Sequence, residues 1–477
     1  MFLKVRSKEK NNFKNISMKL KSLLLILSST LMFFTHAQIL KRKHANGIMY
    51  QPLSASINLE KSYSGEGGIL IDSVLSNSTS EKGGIKKGDI LVEINGIRIM
   101  DEKTFLSTPL TELKEGDEIE YKIWRNNKYI STKTISKARP RNSIEGIIYE
   151  YGEIKTSFGY LRTLLSKPSK SKGKLPAILF IQGNLCESVI ELNEGDPYEQ
   201  FCNKMSLQGF AVMRIDKPGA GESEGKITRC KEMTFQQELE QYQTGITALL
   251  NDVSIDSKNV FLFGHSLGGI ITPILASKNP VIKGAMVYGT LSSNYGSYYP
   301  EIVYRSLLMN GYGEAQSLQY KNYLKEITTD LFEGNKSPQQ IISTKPQYES
   351  LLRQVLGWNE KDNTILYRSL VFNRELNEVN PRLYWEKVNC PVLSIYGTSD
   401  FEAIDKEYAT AMINWINPKF SSKSTSIILP DTDHAFARVG TMEEGVKIKR
   451  SEKYREIMRT NFNQSLIQNV SDWISTL

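Results

Sequence analysis

Hydrophobic positions along the chain follow two rhythms, and the change falls near residue 140. From Lys43 to Lys137, short apolar runs alternate with polar positions in the stretches 67–75, 83–99, 119–124 and 129–135. A period of two predicts strands with one buried face. Asn95-Gly96 and Asn126-Asn127 punctuate these runs as hairpin turns, and a short helix is expected to end near Gly84. The stretch from Lys137 to Asn142 is basic, contains Pro140, and reads as a linker. Beyond it the apolar runs are continuous and alternate with helical spacing. Strands are predicted at 147–155, 160–166, 177–182, 211–216, 260–264 and 284–288, with helices near 198–208, 235–251 and 267–277. Two strands followed by a β/α alternation predict a mostly parallel sheet with helices on both faces. Residues 292–388 break the alternation. Their apolar positions recur at helical spacing over 302–308 and 318–324, which predicts a mainly helical insertion. The pattern then resumes with a strand at 391–396, a helix near 405–416, a strand at 424–429 and a C-terminal helix from about 443.

The N-terminus changes how the net charge is understood. The 477 residues carry a formal charge of +8, but seven Lys/Arg and one acid in residues 1–37 account for +6 of it. The rest is close to neutral and offers no basic face of the kind nucleic acid requires. Lys19 and Lys21 precede an apolar run from Leu23 to Phe34, and Thr35-His36-Ala37 follows. A cationic stretch, an apolar stretch and a small-residue site predict a cleaved secretory signal at 1–37, with Met18 as an alternative start. The run is shorter than the ~20 residues that span a bilayer, and no other stretch is long and apolar enough. A periplasmic or extracellular protein with no transmembrane segment in the mature chain is therefore expected. The content, 40% hydrophobic and 23% charged, is that of an ordinary globular protein. The four cysteines, Cys186, Cys202, Cys230 and Cys390, are too few for a disulfide scaffold and fit no zinc spacing.

The sharpest chemical signal is Gly264-His265-Ser266-Leu267-Gly268 between an apolar run and a helical pattern. A strand that turns sharply into a helix lifts the Ser266 hydroxyl into the open. Glycines at 264 and 268 leave room for that strained turn, and the helix N-terminus favours developing negative charge. A serine nucleophile needs a base. Of four histidines, His36 lies in the signal, His44 near the mature N-terminus, and His265 beside the serine with its ring expected to point away. His434 remains, in a loop directly after a predicted strand. Its acid partner is drawn from Asp400, Glu402, Asp431 and Asp433, the last two being close enough to His434 to cap its own turn.

Together these residues resemble the α/β-hydrolase superfamily over 143–477, and the loop from Arg214 to Gly225, with its Gly219, Gly221, Ser223 and Gly225, is similar to one in that family's esterase and peptidase branches. The resemblance implies a nucleophile–acid–base order along the chain and selects Asp400, just past a strand, as the acid. It implies an oxyanion site made by the backbone N–H of Leu267 and of Asn184 or Leu185. It makes the strands before Cys186 and Cys230 neighbours, so a disulfide between these two is expected, with Cys202 and Cys390 as buried thiols. The loop residue Ser223 is expected to be architectural. It places 292–388 as a cap, whose Tyr295, Tyr298, Tyr299, Tyr304, Leu307, Leu308 and Trp358 are candidates to line the pocket. Residues 45–138 resemble a PDZ domain in their Gly-rich loop, short helix, Gly88-Asp89-Ile90 and Asn95-Gly96 hairpin. That implies capture of a peptide C-terminus by strand addition, with Gly65, Gly67, Gly68 and Ile69 as the binding loop.

The expected function is hydrolysis of a carboxyl-ester-like bond through Ser266, His434, Asp400 and an acyl-enzyme, with no metal or organic cofactor. Alternatives are a PDZ-assisted serine peptidase, or an inactive PDZ-bearing binding protein. A small-molecule ester or a peptide is the expected substrate, with no nucleic-acid partner.

Overall fold

The computed structural model describes residues 40–477 except 55, 56, 58, 59, 109, 111 and 404; the signal expected at 1–37 lies outside the described residues. The N-terminal region is an antiparallel sheet of β1 (Ile48–Pro52), β2 (Ile69–Val74), β3 (Ile90–Ile94), β4 (Ile97–Arg98), β5 (Glu118–Arg125) and β6 (Lys128–Ile135). Its order is β1-β2-β3-β5-β6, with β4 beside β3. Alternation in β5 puts Ile119, Tyr121 and Ile123 into a core with Ile71, Leu91 and Phe105. The predicted turns hold: Asn95, Asn126 and Asn127 take φ values of 47°, 51° and 58°, which asparagine tolerates better than most residues.

Strand β1 corrects the expected peptide site. β2 is hydrogen-bonded to β1 on one side and β3 on the other, so no strand can add at Ile69. Ile69 is fully buried. The glycines serve the turn instead: Gly67 and Gly68 have φ of 74° and 112°, and a Cβ on Gly65 would strike the Tyr63 ring. The edges of the sheet are β1 and β6, and on β1 Tyr50 packs edge-on against Phe105 of helix Glu102–Leu106 at 4.8 Å.

The rest of the chain is built on a nine-stranded sheet. The hairpin of β7 (Ile147–Thr156) and β8 (Gly159–Pro168) is followed by β9 (Leu175–Ile181), β10 (Ala211–Ile215), β11 (Glu224–Gly225), β12 (Ile255–His265) and β13 (Gly284–Tyr288). After the insertion, which holds the small hairpin β14 (Thr364–Ile365) and β15 (Arg368–Ser369), come β16 (Val392–Gly397) and β17 (Thr425–Leu429). The order is β11-β8-β10-β9-β12-β13-β16-β17 with β7 on β8, and every pair from β10 to β17 is parallel. Alternate residues of each central strand feed two cores. Ala177, Leu179 and Ile181 meet helices Phe235–Asn251 and Gly268–Lys278 on one face. Ile178 and Phe180 meet helices Pro197–Leu207 and Gln464–Ser475 on the other. Burial on both faces is why these strands read as unbroken apolar runs.

The insertion has its own small core of Leu324, Ile327, Leu352 and Trp358, among others. From Phe372 onward it rejoins the body, where Phe372, Leu376 and the fully buried Trp385 enter the main core. The mainly helical insertion also holds the small β14–β15 hairpin: Leu366 and Tyr367 take φ values of 50° and 68°, and a two-residue turn of that kind leaves no helical periodicity to read.

Candidate active site

Ser266 sits on the sharp turn between β12 and helix Gly268–Lys278 with φ of 55°, an uncommon conformation for a non-glycine residue. Close packing explains the adjacent glycines. A Cβ on Gly264 would lie 2.2 Å from Thr272 Oγ1 and 2.4 Å from the Gly268 carbonyl oxygen; one on Gly268 would lie 2.1 Å from the Ile181 carbonyl oxygen. The Ser266 N–H donates to the Tyr288 carbonyl on β13 at 3.0 Å, fixing the turn to the next strand.

His434 follows β17 and reaches back toward this turn. Its Nδ1 lies 2.9 Å from Asp400 Oδ2, and Asp400 is fully buried just past β16. The other oxygen, Oδ1, accepts the N–H groups of Glu402 and Ala403 at 3.0 and 2.9 Å. With both oxygens engaged, the carboxylate is oriented toward the ring and serves as its acceptor. Gly289 makes room for the pair, since a Cβ there would stand 2.7 Å from Asp400 Oδ2 and 3.0 Å from His434 Nδ1. Asp433, an alternative acid, turns away to accept the N–H groups of Ala435 and Ala437, both at 2.9 Å, and so holds the loop's shape.

His265 has a role that the sequence did not disclose. Its Nε2 donates to the His434 carbonyl at 2.8 Å, while its Nδ1 meets the Tyr198 hydroxyl at 2.6 Å. Burial, then the neighbouring His434, push it well below the usual histidine range, so it is neutral. It clamps the backbone of the residue beside it rather than the serine.

Glu402 and Lys449 were not legible as a pair, because helix Met442–Lys449 is remote in sequence. Glu402 Oε2 lies 3.6 Å from His434 Nε2, and the Lys449 ammonium pairs with the other oxygen. Burial alone would depress His434, but the charges of Asp400 and Glu402 outweigh it and push the imidazole up to about 9. Against the cost of burial, His434 and Lys449 hold Glu402 down to about 2. Among the described residues no hydrogen bond joins Ser266 Oγ to His434.

The turn opens into a cleft of about 580 Å³ lined by Ser266, His434 and Glu402, by Tyr198, and by Tyr295, Tyr298, Tyr299, Leu366 and Tyr367 of the insertion. Of the other expected pocket residues, Trp358 lies in the insertion's own core. Gly183, Asn184, Leu185 and Leu267 also face the cleft. Gly183 is close-packed there: a Cβ on it would come within 3.0 Å of Ser266 Cβ and 3.4 Å of Oγ. The N–H groups of Leu267, Asn184 and Leu185 donate to no protein acceptor among the described residues. Ser223, by contrast, accepts the Arg162 N–H at 2.9 Å and donates to the Asp216 carbonyl, an architectural role. Cys186 and Cys230 are bonded, and Cys202 and Cys390 are buried thiols.

Residues 193–324 match the family described as serine aminopeptidase, S33, and residues 47–135 match the PDZ domain family. The chain joins a PDZ domain to an α/β-hydrolase domain. A curated relative, "Probable periplasmic serine endoprotease DegP-like" from Marinomonas sp. (strain MWYL1), is 32% identical over 90 residues, which cover 19% of this chain and 18% of that protein. The chain therefore spans less than a fifth of that relative's length. The hydrolase domain also aligns with the α/β hydrolase GrgF from Penicillium sp. sh18, at 14% identity, 69% of this chain, 98% of that chain and a TM-score of 0.42. Est1E from Butyrivibrio proteoclasticus with ferulic acid bound aligns at 17% identity, 64% and 98% coverage and a TM-score of 0.41.

Proposed function

We propose that the hydrolase domain is a serine hydrolase acting on carboxyl-ester-like bonds, with Ser266 as nucleophile, His434 as general base and Asp400 as its orienting acid. One observation carries this: the imidazole held at 2.9 Å by a fully buried, doubly anchored carboxylate opens onto the same cleft as a serine on a strained turn. His434 Nε2 takes the Ser266 proton as Oγ bonds to the substrate carbonyl carbon, whose oxygen becomes an oxyanion. Collapse expels the alkoxide, which receives that proton from His434, and an acyl-enzyme remains. Water then attacks, giving its proton to His434, and Ser266 is released with it. The N–H groups of Leu267 and of Asn184 or Leu185 hold the oxyanion. For the first step His434 Nε2 must turn from Glu402 to Ser266, and such contacts tighten when substrate fills the site.

Labelling with a fluorophosphonate tests the assignment. Wild type is expected to label and to hydrolyse p-nitrophenyl esters, with a preferred acyl length set by the tyrosine-lined cleft; Ser266→Ala is expected to do neither. A folded wild-type chain without Ser266-dependent labelling overturns it. The open edge of β1 favours a second assignment, a peptidase that receives peptides through its PDZ domain. Peptides with free C-termini should then be cut faster than their amidated forms, and equal rates exclude it. Export is supported by the N-terminal pattern and by the Cys186–Cys230 bond, which suits an oxidising compartment. N-terminal sequencing of the secreted chain tests it: a start near residue 38 is expected, and an intact N-terminus on cytoplasmic protein excludes it.

A further inference from the structure

Behind the loop that faces Ser266 lies a buried charge cluster for which the chemistry above has no use. Lys217 follows β10, Glu238 lies on helix Phe235–Asn251, and Arg368 comes from the β14–β15 hairpin; all three are fully buried. Lys217 Nζ is 2.9 Å from Glu238 Oε1, and Arg368 Nη2 is 2.5 Å from Oε2. One carboxylate thus serves two cations. The surplus positive charge falls on three successive carbonyls of the loop: Lys217 Nζ donates to Gly183 at 2.7 Å and Leu185 at 3.1 Å, and Arg368 Nη1 donates to Asn184 at 3.1 Å. Burial draws Lys217 down to about 8, with Glu238 opposing, so it keeps its charge at neutral pH.

A planar trans peptide points its N–H away from its C=O. The Gly183 carbonyl shares a peptide with the Asn184 N–H, and the Asn184 carbonyl with the Leu185 N–H. Holding these oxygens against the cations turns both N–H groups away from the cluster. Ser266 borders the loop on the cleft side at Gly183, and neither N–H is consumed by a protein acceptor among the described residues. Burying three ions carries a large desolvation cost, and apolar residues would fill such a space at least as stably.

We propose that Lys217 and Arg368 are positioning residues that hold and polarise the peptides whose N–H groups receive the oxyanion. The proposal rests on the serine-hydrolase assignment. It gives the insertion a part beyond covering the cleft: Arg368 grips the Asn184 carbonyl, and the Asn184 side chain donates to the Leu366 carbonyl of the same hairpin at 3.1 Å. Seating the hairpin and completing the oxyanion site are then one event.

The test uses the full chain as Lys217→Met, Arg368→Gln and Arg368→Lys. Rates are taken per fluorophosphonate-titratable site, with a trifluoromethyl ketone as the probe of the tetrahedral state. Deleting one oxyanion donor outright costs roughly 100- to 1,000-fold, so misaimed donors should cost ~10- to 100-fold in kcat. The neutral variants should weaken the ketone by the same factor while KM stays within about threefold, and Arg368→Lys should recover most of the loss. A cluster that merely fills space would leave the ketone's affinity within about threefold of wild type in a folded neutral variant, and that result overturns the proposal. Should Lys217→Met not fold, the Arg368 pair, differing by one charge, decides alone. Wild type that fails to label refutes the hydrolase assignment itself; wild type that labels, with Arg368→Gln its equal in every rate, refutes only this one.

Discussion

Replacing Glu402 with glutamine should lower the pH at which the enzyme becomes active. The His434 ring lies between two carboxylates, with Asp400 2.9 Å from Nδ1 and Glu402 3.6 Å from Nε2, and together they push it up to about 9 against the pull of burial. A base that is protonated at neutral pH cannot take the Ser266 proton, so kcat/KM of wild type should rise with pH through about 9. Two unit charges 3.6 Å apart attract by ~4.6 kcal/mol at an effective dielectric of 20 and ~1.2 kcal/mol in water. The Glu402 side chain is about a third exposed and shares its charge with Lys449, so the weaker figure is the nearer one. At about 1.36 kcal/mol per pH unit the weaker figure is roughly one unit, and the stronger one, about three, is an upper bound. The sign follows from which form loses its partner: without the anion the imidazolium is less favoured, the proton leaves at lower pH, and the rising limb moves down. Activity at neutral pH should therefore increase in Glu402→Gln. The assay is kcat/KM for a p-nitrophenyl ester across the rising limb, corrected for spontaneous hydrolysis. A limb that stays within about 0.3 pH units of wild type would show that Glu402 does not bear on the base.

Three further outcomes are expected. Asp400→Asn, which turns an acceptor for His434 Nδ1 into a donor, should reduce kcat by roughly 10⁴ with the fold intact, read from ester turnover and circular dichroism. Gly289→Ala places a methyl 2.7 Å from Asp400 Oδ2 at a φ of 58°, and should abolish most ester turnover while destabilising the fold by ~1 to 3 kcal/mol in urea unfolding. Removing the Cys186–Cys230 bond frees a loop with a sequence separation of 44, so the Cys186→Ser, Cys230→Ser double variant should lose up to ~4 kcal/mol, and reductant should destabilise wild type but not the variant.

What the sequence disclosed of this fold and what it withheld divide along a physical line. The turn around Ser266 was readable because strand, turn and helix are contiguous, and because the glycines that permit the turn are themselves in the sequence. The central strands were readable because burial on both faces leaves unbroken apolar runs such as 260–263. Strand β1 was not. Its five residues are half-exposed, include Gln51 and Pro52, and show no apolar–polar alternation in sequence, so the sequence points to Gly65, Gly67, Gly68 and Ile69 as the binding loop and gives no sign of β1. An edge strand is defined by what does not pair with it, and that is a property of the assembled sheet.

The same line runs through the site. Asp400 and His434 each lie just past a strand end, a position that sequence pattern can mark. Glu402 and Lys449 meet only because a loop after β16 and the helix Met442–Lys449 converge. The buried cluster is the instructive intermediate. Phe235, Leu239, Tyr242, Ile246 and Leu249 form the apolar stripe of their helix, and Glu238 stands on that stripe. A charge on a core-facing position must be met by an opposite charge, so the sequence alone announces that a cation comes to Glu238. It does not say which, since Lys217 and Arg368 lie 21 and 130 residues away along the chain, on opposite sides of it. Periodicity locates such an intrusion; only the packing of the sheet, its helix and the inserted hairpin supplies the partners, and with them the carbonyls they grip.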